Sequence, residues 1–65
     1  MNFAKNLIQI QSKHGETNYR LAKAIGVTQT SVKNWRSGER LPHPKTREKI
    51  AAHYGVTVEE LMKEE

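Results

Sequence analysis

Residues 29–35 place two large apolar side chains among polar ones at helical spacing, which predicts a helix with one polar and one apolar side. The polar members of this set are Gln29, Thr30, Lys33 and Asn34. Val32 and Trp35 lie three residues apart and therefore share the opposite, inward side. Asn and Gln amides can pair bidentately with adenine, Thr can meet a thymine methyl group, and Lys can donate to guanine. The outward side therefore has the chemistry that reads base pairs, although an ordinary solvent-exposed polar face has the same composition.

Basic residues concentrate in the same central part of the chain. Residues 17–47 contain seven Lys or Arg and one Glu, a net charge of +6. The remainder contains four bases and six acids, a net charge of −2, so the whole chain carries +4. A basic block beside a neutral to acidic remainder is typical of a phosphate-binding surface. A solvated charged surface is the alternative that composition alone leaves open.

The elements that would position these side chains are two short helices joined by a tight turn. Thr17 can cap a helix that Gly26 ends, because glycine readily adopts the left-handed conformation at a helix C-terminus. Thr28 then caps the next helix, and Gly38 is its natural stop. Two short helices in this arrangement form a helix-turn-helix, which spans roughly residues 17–36 in this interpretation.

Three further helices complete the predicted fold. One covers residues 2–13 with Asn2 as its cap, another begins at Pro44, and the last follows a Thr-x-x-Glu capping box at Thr57. No strand pattern competes, so we expect a single all-α domain over residues 1–65 with five helices. The expected core consists of Leu7, Ile10, Leu21, Ala22, Ile25, Val32, Trp35, Ile50, Val56, Val58 and Leu61.

The central segment resembles the phage repressor and Cro family of helix-turn-helix proteins. The matching positions are Leu21-Ala22, Gly26-Val27, Thr28-Gln29, Val32, Trp35, Gly38 and Pro42. Residues 54–61 also resemble the closing segment of that family, in which a glycine ends the fourth helix and a short fifth helix completes the core. The resemblance implies a compact, five-helix, lambda-repressor-like DNA-binding domain whose third helix enters the major groove.

The resemblance also implies which side chains contact DNA. Gln29, Thr30 and Asn34 occupy positions that the family uses for base contacts, and Lys33 lies beside them. Asn18 falls where the family places a polar phosphate contact, at a helix N-terminus whose free amides also suit an anion. The predicted phosphate contacts are Asn18, Ser31, Arg36, Arg40, His43 and Lys45. The alternative for each of these residues is an ordinary exposed polar or charged side chain without a DNA contact.

Two regions of the chain depart from the family's pattern. Many members pair an Arg late in helix one with a Glu at the end of helix three, where this chain has Gln11 and Arg36. That buried ion pair is therefore absent or rearranged, and Arg36 could instead add to the phosphate-facing charge. Glu16 stands where the family often has an aliphatic residue, which leaves open how tightly the loop before the second helix packs.

Composition argues against several other classes of protein. The chain has no Cys, no Asp and no glycine-rich phosphate loop, so we do not expect an enzyme. The three His residues are not spaced as paired ligands on one helix face, so we expect no metal and no other cofactor. Trp35 is expected to pack in the core, and Tyr19 and Tyr54 are expected to be partly buried packing residues. No apolar run is long enough to span a membrane, which predicts a soluble, cytoplasmic protein without membrane contact.

The expected function is sequence-specific binding of double-stranded DNA by a transcriptional regulator, in the first instance a repressor, encoded by a prokaryote or phage. A homodimer through the C-terminal region, around Val58, Leu61 and Met62, would place two reading helices about 34 Å apart on a two-part operator. Because 65 residues leave little spare surface for such an interface, the alternative is that the chain is a fragment of a longer repressor. The open alternative is a protein-interaction module, such as an antitoxin or a regulator adaptor, that uses the same fold.

Overall fold

Five α-helices follow one another in residues 3–63, the part of the chain that the computed structural model describes. They are α1 (Phe3–His14), α2 (Asn18–Ile25), α3 (Gln29–Ser37), α4 (Pro44–Tyr54) and α5 (Val58–Met62). No strand occurs in these residues, and the predicted all-α fold with five helices is confirmed. Asn2, the predicted cap of α1, lies outside the described residues, and the cap is therefore not tested.

Three threonines set where helices begin. The Oγ1 atoms of Thr17, Thr28 and Thr57 each accept the N–H group three residues further on, in every case at 3.1 Å. Each bond satisfies one of the N–H groups that a helix N-terminus leaves without an intrahelical partner. At Thr57 this is one half of the predicted capping box, since within residues 3–63 no bond runs back from the Glu60 side chain. All three caps were predicted from local sequence.

Two glycines end α2 and α3. Gly26 has a φ of 78° and Gly38 a φ of 83°, the left-handed region where a Cβ atom costs about 1–2 kcal/mol. Beyond the first glycine, the Val27 N–H donates to the Ala22 carbonyl at 2.9 Å, which folds the chain back before α3 begins. The turn is therefore fixed by backbone conformation, and it holds α2 and α3 in contact.

The helices enclose one apolar core. α3 packs against α1 and α2, while α4 packs against α2 and α5, and α5 also contacts α1. The buried apolar side chains are Phe3, Leu7, Leu21, Ala22, Ile25, Val32, Trp35, Ile50, Ala51, Tyr54 and Leu61. Ile10, Val56 and Val58 were predicted inside this core, but they are only partly buried at its edge. Ile10 and Val56 line an open groove between α1 and α5, which leaves them in contact with solvent, and Val58 is the first residue of the five-residue α5.

No helix within residues 3–63 is long and apolar enough to cross a membrane.

Candidate DNA interface

α3 turns one side to the core and the other to solvent, as its sequence predicts. Val32 is fully buried and Trp35 is 6% exposed, so the tryptophan packs and does not stand free for base stacking. The exposed members of the predicted base-contacting set are Gln29, Thr30 and Lys33. Asn34 is half-buried, because residues 39 and 40 fold back onto its carbonyl group. The structure thus brings the four residues onto one helix, with three of them fully outward.

The first turn of α3 is stiffened by its own hydroxyl groups. Ser31 donates its N–H to Thr28 Oγ1 at 3.1 Å, and the two hydroxyl oxygens are also 3.1 Å apart. Ser31 is half-buried, so a phosphate could reach only the remaining hydrogen-bonding capacity of its hydroxyl. The predicted phosphate contact of Ser31 stays a prediction, whereas its part in capping the helix is observed.

The connector between α3 and α4 is anchored to the end of α3. The Asn34 carbonyl accepts the N–H groups of Glu39 at 3.1 Å and Arg40 at 3.3 Å. Further on, His43 Nδ1 accepts the Lys45 N–H at 3.3 Å and caps α4, which leaves Nε2 as the ring's donor. Arg40, His43 and Lys45 are all exposed. These bonds fix the backbone next to α3, so a phosphate-binding set there would be ordered in advance.

The seven Lys and Arg residues of the central block divide into two groups. Arg36 donates Nη1 to Gln11 Oε1 at 2.6 Å, and Arg47 donates Nη1 to Met62 Sδ at 3.8 Å while its Nε is buried without a partner. The other five are exposed, and within residues 3–63 none of them forms an ion pair with a carboxylate. They are Arg20, Lys23, Lys33, Arg40 and Lys45. None of these five side chains therefore has its charge neutralised by a direct carboxylate contact in the described part of the protein, although Arg20 acts on Glu16 at longer range.

Tyr19 corrects one prediction. It was expected to be a partly buried packing residue, but it is 54% exposed on α2, with its ring centroid 5.9 Å from the Lys23 ammonium nitrogen. The buried stripe of α2 consists of Leu21, Ala22 and Ile25, and the helical period places position 19 away from that stripe. Tyr54, in contrast, is buried as predicted.

Gln11 and Arg36, the first departure from the family's pattern, form a hydrogen bond in place of an ion pair. Gln11 is only 2% exposed, and besides accepting from Arg36 it donates Nε2 to Asn18 Oδ1 at 2.9 Å. The ion pair is thus replaced by a charge-assisted bond to a neutral amide. One of the five guanidinium N–H donors of Arg36 is turned toward α1, and the predicted phosphate contact would use the others.

Glu16, the second departure, fastens the loop before α2 to α4. Its Oε1 accepts the Tyr54 hydroxyl at 2.7 Å and its Oε2 lies 2.8 Å from His53 Nε2. Burial by itself raises the pKa of Glu16, but the hydrogen bonds from Tyr54 and His53, together with the electrostatic attraction of His53 and Arg20, outweigh it and hold the pKa below its usual value. Burial and the bond to Glu16 raise the pKa of Tyr54. The loop is therefore tightly held, a point that the sequence left open.

The His14 and His53 rings both lie close to the Tyr54 ring, whereas His43 lies at the start of α4. His53 binds Glu16, His43 caps α4, and the His14 ring lies 5.0 Å from the Tyr54 ring. In the part of the chain that the structure describes, no three His, Cys, Asp or Glu side chains gather in a group that could hold a metal ion.

Known proteins with the same sequence pattern and fold are transcriptional regulators. The helix-turn-helix family model HTH_3 matches residues 13–61. The HTH-type transcriptional activator BcrR of Enterococcus faecalis is 29% identical over 62 residues, which are 95% of this chain and 30% of that protein. A transcriptional regulator from Listeria innocua, known from a crystal structure, superposes with a TM-score of 0.86 at 29% identity, over 91% of this chain and 55% of that chain. The chain thus spans about a third of one relative and about half of the other.

Proposed function

This chain belongs to the helix-turn-helix family, and on that premise we propose that it binds a specific site in double-stranded DNA as a transcriptional regulator, with α3 in the major groove. The observation that carries the proposal is the outward face of α3. Gln29, Thr30 and Lys33 stand exposed on a helix whose other side is locked into the core by Val32 and Trp35. An α-helix with its side chains is about 10–12 Å across, so α3 fits in a major groove about 12 Å wide.

The proposed contacts divide into those that read sequence and those that hold the protein in register. Base edges would be read by Gln29, Thr30, Lys33 and Asn34. Phosphates would be held by Asn18, Ser31, Arg36, Arg40, His43 and Lys45. The exposed Lys and Arg side chains that have no carboxylate partner in residues 3–63 support this division, because a phosphate backbone would supply the missing counter-charge.

We further propose repression as the outcome of binding and a homodimer as the binding species. Occupancy of an operator is by itself enough to exclude other proteins from it, whereas activation requires an added contact with the transcription machinery. The relative named as an activator makes activation the competing outcome. Of the three residues predicted for a dimer interface, Leu61 is only 2% exposed in the core and is not available to a partner. A dimer through Val58 and Met62, which are both half-buried on α5, would bind half-sites one helical turn apart.

The proposal is tested by selecting binding sequences from a random duplex pool with the full chain. The winning duplex is then titrated against its scrambled version at two salt concentrations. We expect an enriched motif, and an inverted repeat with half-sites about 10 base pairs apart if the protein binds as a dimer. Binding without any enriched sequence, or no binding, would overturn the proposal in favour of a protein-interaction module.

A further inference from the structure

Three helices meet in a chain of hydrogen bonds that runs through the interior. Arg36, near the end of α3, donates Nη1 to Gln11 Oε1 at 2.6 Å. Gln11, on α1, donates Nε2 to Asn18 Oδ1 at 2.9 Å, at the first residue of α2. Gln11 is 2% exposed, and it is the only buried polar side chain within residues 3–63. This relay therefore connects the reading helix to the start of α2 through a fully buried amide.

The direction of every bond in the relay is determined by chemistry. An arginine side chain only donates hydrogen bonds, so Gln11 must turn its Oε1 toward Arg36 and its Nε2 the other way. On that other side, the Glu16 carbonyl oxygen lies 3.4 Å from Nε2 and can only accept. Asn18 must then present Oδ1, because a flipped amide would set two NH2 groups against each other. The amide nitrogen of Asn18 is thereby left as the free end.

We propose that Gln11 is a positioning residue for DNA, which orients the Asn18 amide so that its Nδ2 donates to a backbone phosphate. This inference rests on the proposed function. Asn18 is half-buried, and its Nδ2 has no acceptor among the residues that the structure describes. It lies at the N-terminus of α2, where the partial positive charge of the helix favours an anion. A phosphate only accepts hydrogen bonds, so the opposite orientation would set Oδ1 against it.

The relay also leaves the positive charge of Arg36 uncancelled. Gln11 is neutral, so the guanidinium of Arg36 keeps its full positive charge, which a Glu in the same place would cancel. The charged donor polarises the Gln11 amide and strengthens its bond to Asn18. Orientation of the donor and the local positive potential thus come from the same buried side chain.

The discriminating variant is Gln11→Glu. The new carboxylate forms an ion pair with Arg36, which should offset the loss of the weak 3.4 Å bond from Nε2 to the Glu16 carbonyl oxygen, so the melting temperature should change little. It has no N–H to donate, so Asn18 should reverse its amide, give Nδ2 to the carboxylate and present Oδ1 outward. We expect binding to the selected duplex to weaken by at least about tenfold, the size of one charge-assisted hydrogen bond.

The added negative charge would weaken binding by itself, and a double-mutant cycle separates the two effects. In an Asn18→Ala background the charge remains but the amide does not, so Gln11→Glu should cost no more than about threefold there. Gln11→Met, which removes both hydrogen bonds of the relay at similar volume, is the matched control and should lower the melting temperature.

Side-chain amide exchange in the free protein supplies a readout without DNA: the Asn18 NH2 group should become protected in Gln11→Glu.

Equal losses in the two backgrounds, or an Asn18 NH2 group that is already protected in the unaltered chain, would overturn the inference while leaving DNA binding intact. A chain that binds no duplex at all would overturn the proposed function and this inference together.

Discussion

The outward face of α3 and the junction around Gln11 and Glu16 use polar side chains in opposite ways. At this junction α1, α2 and α4 meet the end of α3. At the junction, Gln11 is buried and its amide is bonded on both sides, and Glu16 receives bonds from Tyr54 and His53. On α3, the outward polar groups have solvent in front of them. Polar groups that satisfy one another stabilise the fold, and polar groups that remain unsatisfied are available to a ligand.

The largest expected effect is a loss of DNA sequence specificity when a side chain on the outward face of α3 is removed. Gln29→Ala should lower the discrimination between the selected duplex and a scrambled one by about 1–3 kcal/mol, because a bidentate base contact is lost. The melting temperature should hardly change, since Gln29 is exposed. Titration of both duplexes measures the discrimination, and Gln9→Ala, on the exposed surface of α1, is the matched control. Equal losses on both duplexes would contradict the assignment of Gln29 as a base contact.

The converse is expected at the junction. Glu16→Ala leaves the Tyr54 hydroxyl without its acceptor and should lower the free energy of unfolding by about 1–2 kcal/mol. The ratio of affinities for specific and random DNA should not change. Urea unfolding followed by circular dichroism tests the first part, with Glu48→Ala, an exposed carboxylate on α4, as the control. Similar losses from the two variants would show that the bonds of Glu16 are not stabilising.

The junction should also make stability depend on pH. The pKa of Glu16 is lowered in the folded protein from a reference value of 4.5, so the unfolded state takes up the proton more readily. The stabilisation is therefore present above about pH 4.5 and is lost as the pH falls through the folded pKa. Glu16→Gln should flatten this part of the curve of melting temperature against pH. A slope identical to that of the unaltered chain would contradict the direction of the pKa shift.

The smallest expected effect concerns the connector. Lys45→Ala should weaken binding to all duplexes alike and reduce the salt-dependence slope by about 1, as expected for one lost phosphate contact. Lys13→Ala removes an equal charge from the groove between α1 and α5 and should leave the slope nearly unchanged. Titrations at several salt concentrations compare the two, and matching slopes would remove Lys45 from the proposed phosphate set.

Local sequence signals were enough to predict the helices. The threonine caps, the glycine stops and the inward phase of Val32 and Trp35 all depend on neighbours within a few residues, and all were confirmed. These signals place the outward face of α3, because one side of a helix follows from the other.

The junction could not be predicted in the same way. Gln11 and Arg36 are 25 residues apart, and Glu16 and His53 are 37 residues apart, so their contacts depend on how the helices pack. The family comparison marked Gln11, Arg36 and Glu16 as unusual without showing what replaces the expected contacts. The wrong prediction for Tyr19 has a related cause, because an aromatic side chain carries no local signal of whether a neighbouring helix covers it.

The most direct test of the central claim is methylation protection of the selected duplex by the bound chain. Guanine N7 lies in the major groove and adenine N3 in the minor groove, so the two positions report the groove that α3 occupies. We predict protection of guanine N7 within the enriched motif, with loss of that protection in Lys33→Ala wherever this side chain reads the site. Protection confined to adenine N3, or none on a duplex that the chain demonstrably binds, would contradict the account.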